Sequence, residues 1–493
     1  GFSFSLVARY SLLNMLWTLN DIVKATDGEV LWGDPRQEAG GISIDSRTIA
    51  AGEAFVAIRG EVHDGHRFIP EAISRGAAGL VVDRRGREAL PAGNRGQSPS
   101  FCVAAPDTTR ALGDMAAFHR RRCPAQLVAI TGSNGKTSTR RMTAAVASRR
   151  FNTLEADRNL NNQIGVPLTL FRLTSEHRWA VIELGTNRPG EIARLAEICT
   201  PEIGVITNIG PAHLEGLGSM EGVLAEKTSL LRGLRPGGRA VLNADDPRLR
   251  SVLRELGPAA VGFGLSLEAA VRAVGATETA RGIEFELILP GDSAAVHLGA
   301  HGRFMVHNAL AAAAVGTLMG LPAAEIAAGL ARFFPVAGRL QVSELAGGVR
   351  LIDDTYNANP ASMQGALDAL SALRGPHRGI LVAADMRELG AGAAALHREL
   401  GRMAAARGTG KLFVCGDFSA EVAAGAATAG MPAADIVTGS RAEIQAALLA
   451  ELKPGDWVLV KGSRAMGMDQ VAQAIRRWAG DSARSPEPNA ARR

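Results

Sequence analysis

A chain carrying TGSNGKTS at residues 131–138, straight after the apolar run 127–130 and ahead of a helix-forming stretch, has little freedom in how that region folds. Strand, glycine turn and helix together direct backbone N–H groups and a helix N-terminus at one point, which suits phosphate oxygens. The loop comprises Thr131, Gly132, Ser133, Asn134, Gly135, Lys136, Thr137 and Ser138. Lys136 would bridge the phosphates and the Thr137 hydroxyl would ligate Mg²⁺, so ATP is the expected energy source. Ile130 stands where the common pattern has a glycine, five residues before Gly135, so this is a compact variant. A chance glycine turn with Lys136 in solvent would need strand, loop and helix to fall in register by accident.

Composition is compatible with a large globular enzyme. At 493 residues, 46% hydrophobic and 21% charged, the chain has material for roughly three domains of ~150 residues. Aromatics are 4%, too few for stacking platforms that bind single-stranded nucleic acid. A net charge of +5 is modest, and the arginines crowded at 84–87, 120–122 and 140–150 are expected on solvated helix faces or against an anionic substrate. No nucleic-acid partner is expected. Cys102, Cys123, Cys199 and Cys415 are widely spread without a C-x-x-C pair, which fits a reducing cytoplasm. No apolar run reaches the ~20 residues of a membrane span, and Arg9 interrupts the apolar start in a way that argues against a signal peptide.

The expected division is a possible extension at 1–14, a small mixed α/β domain at 15–106, a central domain with a mainly parallel sheet at 107–335, a Rossmann-like domain at 336–480, and a disordered tail at 481–493. In the first, an amphipathic helix is expected from Met15, strands near 41–45, 54–58 and 79–82, a helix over 68–76, a loop at 91–100, and a helix over 107–122. In the second, 179–183, 203–208 and 239–243 are apolar runs suited to buried parallel strands. Residues 257–300 alternate in polarity as an antiparallel insertion or edge, and 307–319 is a helix. In the third, strands at 349–353, 379–383, 411–415 and 457–461 alternate with alanine-rich helices, predicting a second doubly wound α/β sheet.

Several side chains outside the loop invite chemistry. Glu183 closes a strand at the end where open α/β sheets bind ligands, and a carboxylate there suits Mg²⁺. His213 follows the next strand in PAHLEG and could ligate a second metal or orient a phosphate, although a lone loop histidine is more often structural. Asp353 and Asp354 end a strand before a turn-rich loop, where paired acids can hold ribose hydroxyls or a magnesium shell; capping by Asn359 or Ser362 explains part of that pattern but not both acids. Lys227, on a helix, would ordinarily be solvated.

Together these strings resemble the Mur ligase family of ATP-dependent amide-forming enzymes, from about residue 15 to 478. The markers are SIDSRTI (43–49), HDGHRFI (63–69), TGSNGKTS, NLNNQIGVP (159–167), IELGTN, PAHLEGLGS (211–219), HNALAAAA (307–314), GRL (338–340), DDTYNANP, ADMRELG (384–390) and VLVKGSRAMGM (458–468). NLNNQIGVP with DDTYNANP points to the branch that adds a dipeptide. The D-N-P-R motif of the branch adding diaminopimelate or lysine is not found in the last domain, and DDPR at 245–248 lies in the middle one.

The resemblance implies an activity: ATP phosphorylates the terminal carboxylate of a UDP-N-acetylmuramoyl-tripeptide, and the amine of D-alanyl-D-alanine attacks the acyl phosphate. It also implies roles. Lys136 meets the β- and γ-phosphates and Thr137 a first Mg²⁺; Glu183, His213 and a carbamylated Lys227 surround a second. A lysine kept neutral by burial can take up CO₂ and become a metal ligand. AEKTSLL around Lys227 departs from the lysine–glycine/alanine–glutamate pattern of many relatives. Asn308 meets the adenine, and Arg339 with Asp353 or Asp354 the rest of the nucleotide. Ser46, Arg47, His63, Asp64, Gly65 and His66 take the UDP end, and Asn161 and Asn162 the tripeptide-linked substrate. Tyr356, Asn357, Asn359, Lys461 and Arg464 are weaker nominees for nucleotide or dipeptide contacts, in a monomer that opens and closes. One rival is a folate polyglutamylating ligase, which shares the ATPase core but lacks the DSR-type N-terminal pocket. Another is a P-loop GTPase or kinase, though no N-K-x-D guanine motif follows.

Overall fold

Segments that are apolar at every position cannot leave one face in water, so they become interior strands covered on both sides. The computed structural model, which describes residues 16–60, 63–90, 99–157, 160–279 and 281–482, arranges such segments in three main sheets. The first has five strands: Ile42–Ser43, Ala54–Val56, Gly79–Asp83 and Phe101–Ala105 run parallel, and Glu29–Trp32 lies antiparallel at the edge. Helix Thr108–Arg122, capped by Asp107, leads out of it. The central sheet has nine strands, with Gln126–Thr131 between Trp179–Glu183 and Ile203–Ile206. Arg239–Asn243, Ala260–Gly264 and Val271–Thr279 continue it in parallel, and Gly282–Leu289 and Asp292–Leu298 finish it antiparallel, so the expected insertion extends the same sheet. The third sheet has six strands, with Trp457–Lys461 between Arg350–Asp354 and Gly379–Ala384. Each sheet carries a buried apolar cluster on both faces. Three mainly parallel α/β sheets match the expected fold class.

Several details differ from expectation. The first helix starts at Leu19, not Met15, because Trp17–Thr18 pairs with Glu38–Ala39 and Thr18 forms a capping box with Asp21. Strands Thr153–Glu155, Gln341–Glu344 and Ile436–Thr438 are short pieces whose burial depends on sheet neighbours rather than on their own pattern. Arg120 and Arg140 are not solvated: Arg120 pairs with Glu202 at 3.1 Å and Arg140 with Glu155 at 3.2 Å, both arginines being buried. The last helix, Asp469–Ser482, runs past the expected end of the domain. The proposed extension at 1–14, most of the loop at 91–100 and the tail from 483 lie outside the described residues, as does Asn159 of the NLNN string. Among the described residues no helix is long and apolar enough to cross a membrane.

Candidate active site

The carboxyl ends of the central and C-terminal sheets face each other across a cleft of about 940 Å³. Its floor is the phosphate loop. Gly132 (φ 148°) and Gly135 (φ 82°) hold conformations that side chains rarely adopt, and their surroundings are also closed. A Cβ would fall 1.9 Å from Thr207 Oγ1 at the first and 2.2 Å from Asn308 Oδ1 at the second. The loop is braced by neighbours: Asn134 N–H donates to Asn208 Oδ1, Ser133 Oγ to the Gly210 carbonyl, and Thr131 Oγ1 to the Leu184 carbonyl. Helix Lys136–Ala147 begins there without a side-chain cap, leaving its first N–H groups for an anion. Lys136 Nζ folds onto the loop, donating to the Gly132 carbonyl at 2.7 Å. Desolvation pushes the Lys136 pKa down, with Glu183 opposing and Arg339 reinforcing the shift.

Glu183 is buried at the end of its strand. Thr137 Oγ1 donates to its Oε2 at 2.7 Å and Asn161 Nδ2 to its Oε1 at 2.9 Å, with the Arg140 guanidinium 3.9 Å away. Thr137 and Glu183, expected at the first and the second Mg²⁺ respectively, are therefore in contact. Lys227 is 1% exposed on helix Met220–Arg232, so the solvated alternative fails. Burial, then the charge of Lys136, drives its amine well below the usual lysine range, against the pull of Glu226. His213 lines the same cleft but turns Nδ1 to Glu388 at 2.6 Å.

Asn308, Arg339, Asp354, Tyr356, Asn357, Asn359, Lys461 and Arg464 all line the cleft. The Arg339 guanidinium lies 3.9 Å from the centre of the Tyr356 ring, with Arg464 at 5.9 Å. The two acids separate. Asp354 faces the cleft and receives Lys461 Nζ at 2.6 Å, whereas Asp353 turns away to Thr355 and Arg476. Buried Lys461 also donates to the Asn357 carbonyl, so it pins the DDTYNANP turn rather than reaching into space. Asn359 caps helix Pro360–Arg374 with its Oδ1 and donates Nδ2 to Asn134 Oδ1 of the phosphate loop at 2.8 Å. Asn162 Oδ1 accepts the Ile164 and Gly165 N–H groups at 3.2 and 2.8 Å, in the turn before helix Gly165–Leu170.

The nominees of the first sheet lie outside this cleft. Arg47 is exposed and paired with Asp45, and Ser46 Oγ donates to Glu71. His63 is exposed. Gly65 packs where a Cβ would meet the Ile58 backbone at 2.7 Å. His66 departs from its expected role. It is buried, with Nε2 accepting the Asp83 N–H at 3.0 Å and Nδ1 donating to Asp64 Oδ1 at 2.7 Å, so neither nitrogen is left for a ligand. Replacing buried His66 by alanine removes both of these bonds and should cost about 2 kcal/mol of stability, seen as a lower melting temperature with nucleotide binding unchanged. Glu388, Arg387, Ser463 and His307 also line the cleft. No role follows for them from sequence alone, although Glu388 lies in ADMRELG and His307 in HNALAAAA.

Comparison with known proteins places this geometry. The chain matches the Mur ligase middle domain over residues 130–316, the Mur ligase glutamate ligase domain over 338–464, and the Mur ligase family catalytic domain over 38–120. It is 38% identical over 461 residues to UDP-N-acetylmuramoyl-tripeptide–D-alanyl-D-alanine ligase of Escherichia coli, covering 93% of this chain and 98% of that one. A crystal structure of MurF from Acinetobacter baumannii superposes with a TM-score of 0.85 at 30% identity, over 94% of this chain and all (100%) of the other. MurF ligase from Thermotoga maritima in complex with ADP gives 0.79 at 26% identity, over 90% and 98%. Sharing both the fold and near full-length sequence similarity with these proteins, the chain belongs to the Mur ligase family.

Proposed function

We propose that the chain is an ATP-dependent ligase that joins D-alanyl-D-alanine to UDP-N-acetylmuramoyl-tripeptide in peptidoglycan synthesis, through an acyl phosphate. What carries this reading is one juxtaposition: the phosphate loop opens into the same cleft as Glu183 and His213. The relatives covering most of this chain at 30% identity or more bear that ligase name, which disfavours the folate alternative. The three sheets divide the work, with boundaries near 106 and 335: the first for the UDP end, where exposed Arg47 is accessible, the second for ATP and the third for the dipeptide.

A free carboxylate is a poor electrophile at neutral pH, so the reaction needs the γ-phosphoryl group to be delivered to it and the charge to be balanced. The loop N–H groups and Lys136 hold the triphosphate. Arg339, held over Tyr356, approaches from the opposite wall. Asn161 lies beside Glu183 and Asn162 lines the same cleft, where the tripeptide carboxylate would enter. The dipeptide amine then displaces phosphate from the acyl carbon, and the amide forms. Mg²⁺ fits the donor chemistry present: a buried carboxylate and a hydroxyl 2.7 Å apart are hard oxygen ligands, to be completed by phosphate oxygens. Thr137 would hold one ion; Glu183, His213 and carbamylated Lys227 would hold a second. Bound there, the ions would neutralise phosphate charge.

Phosphate release measured with UDP-N-acetylmuramoyl-tripeptide plus D-alanyl-D-alanine, in parallel with folate plus glutamate, tests the reading. Release is expected with the first pair alone. Turnover on folate and glutamate would overturn it.

A further inference from the structure

Five non-glycine residues among those described have left-handed backbones, and two of them meet across the cleft. His213 (φ 56°) ends the loop after Ile203–Ile206, and Glu388 (φ 64°) belongs to the turn after Gly379–Ala384 in the other sheet. Such backbone costs about 1–2 kcal/mol per residue, so something must hold both turns in place. His213 Nδ1 lies 2.6 Å from Glu388 Oε2, and the Glu215 N–H donates to the Glu388 carbonyl at 3.2 Å. A carboxylate at neutral pH only accepts, so Nδ1 is the donor of this bond. Nε2 has no hydrogen-bond partner among the described residues and belongs to the cleft wall.

We propose that Glu388 is a positioning residue: from the C-terminal sheet it grips His213 by Nδ1 and turns Nε2 to the cleft, so that the aim of the imidazole depends on a group supplied by the other sheet. One ring nitrogen fixed by a carboxylate and the other open beside the phosphate loop is the arrangement of a metal-ligating histidine, and a divalent cation is the partner this proposal assigns to Nε2. This rests on the ATP-site reading above. It adds that the cation site is completed from both sheets, since the ligand and the group that orients it come from different ones.

The test uses Mn²⁺ as the probe and needs no peptide substrate. Mn²⁺ binding to the full chain with ADP present is measured by electron paramagnetic resonance for the wild type, Glu388→Ala, His213→Ala and the double variant; metal-free ADP binding is followed by fluorescence. Glu388→Ala should weaken Mn²⁺ about 10–100-fold, leave metal-free ADP binding within about twofold, and add nothing once His213 is gone. Glu388→Gln, which keeps the size and removes the charge, repeats the measurement should the alanine variant fold poorly. Unchanged Mn²⁺ affinity in the Glu388 variants, or an equal loss with and without His213, would overturn the proposal. A wild-type chain that binds no ADP would instead overturn the reading of the cleft, and this proposal with it.

Discussion

Replacing Lys136 by alanine is expected to lower substrate-dependent phosphate release about 10³-fold, a loss of ~4 kcal/mol in transition-state stabilisation. The ammonium is the loop's own cation, and it is already drawn onto the Gly132 and Ser133 carbonyls at 2.7 and 3.4 Å. That placement means little reorganisation when a triphosphate arrives. Desolvation and nearby Arg339 make the charged form costly, and the Glu183 carboxylate counters them, so an incoming polyanion would relieve the same strain. Its hydrogen bonds go to loop carbonyls, and it belongs to neither apolar cluster of the central sheet. Melting temperature should therefore move by little while kcat collapses. Steady-state release with saturating tripeptide and dipeptide substrates gives the answer; activity within tenfold of wild type would remove Lys136 from the phosphate-binding role.

Replacing Lys227 by methionine should be comparably damaging to activity, with stability at neutral pH unchanged or raised. The amine is buried at 1% exposure and held well below its usual pKa by desolvation and Lys136. In the unfolded chain it would titrate near 10.5. Between the depressed folded value and that one, the unfolded state holds a proton that the folded state lacks, so stability rises with pH across this window. Methionine of similar length abolishes that slope and should leave the fold as stable or more so at neutral pH. CO₂ adds only to the neutral amine, so the depressed pKa favours a carbamate at moderate pH. Below the folded pKa the amine protonates and the carbamate is lost; wild-type activity should then fall on the acid side and in CO₂-stripped buffer. A ¹³C resonance from labelled bicarbonate, present in the wild type and gone in Lys227→Met, is the direct check. Methionine at 227 with full activity would dismiss the ligand role.

Much of this molecule was readable before any coordinates. The run at 127–130, the glycine spacing and the helix after Lys136 are local, and each is legible within a few residues. So are the all-apolar strands of the second and third sheets, whose pattern admits only a covered parallel setting. Glu183 was visible for the same reason: strand ends in such sheets are where ligands go. The short edge strands and the start of the first helix were not legible, because Trp17–Thr18 becomes strand only through a partner twenty residues away in sequence.

The amino-acid sequence by itself determined the phosphate loop, the three α/β units and the set of polar residues at their strand ends. Tertiary structure decided which of those residues face one another. Asp354 meets the cleft while Asp353 turns to Arg476, His66 spends both nitrogens on its own loop, and Glu388 reaches His213 from 175 residues away. Periodicity and turn chemistry act over a few residues and are written in order along the chain. Facing partners are set by sheet order, register and the packing of one sheet against another, which no local pattern records.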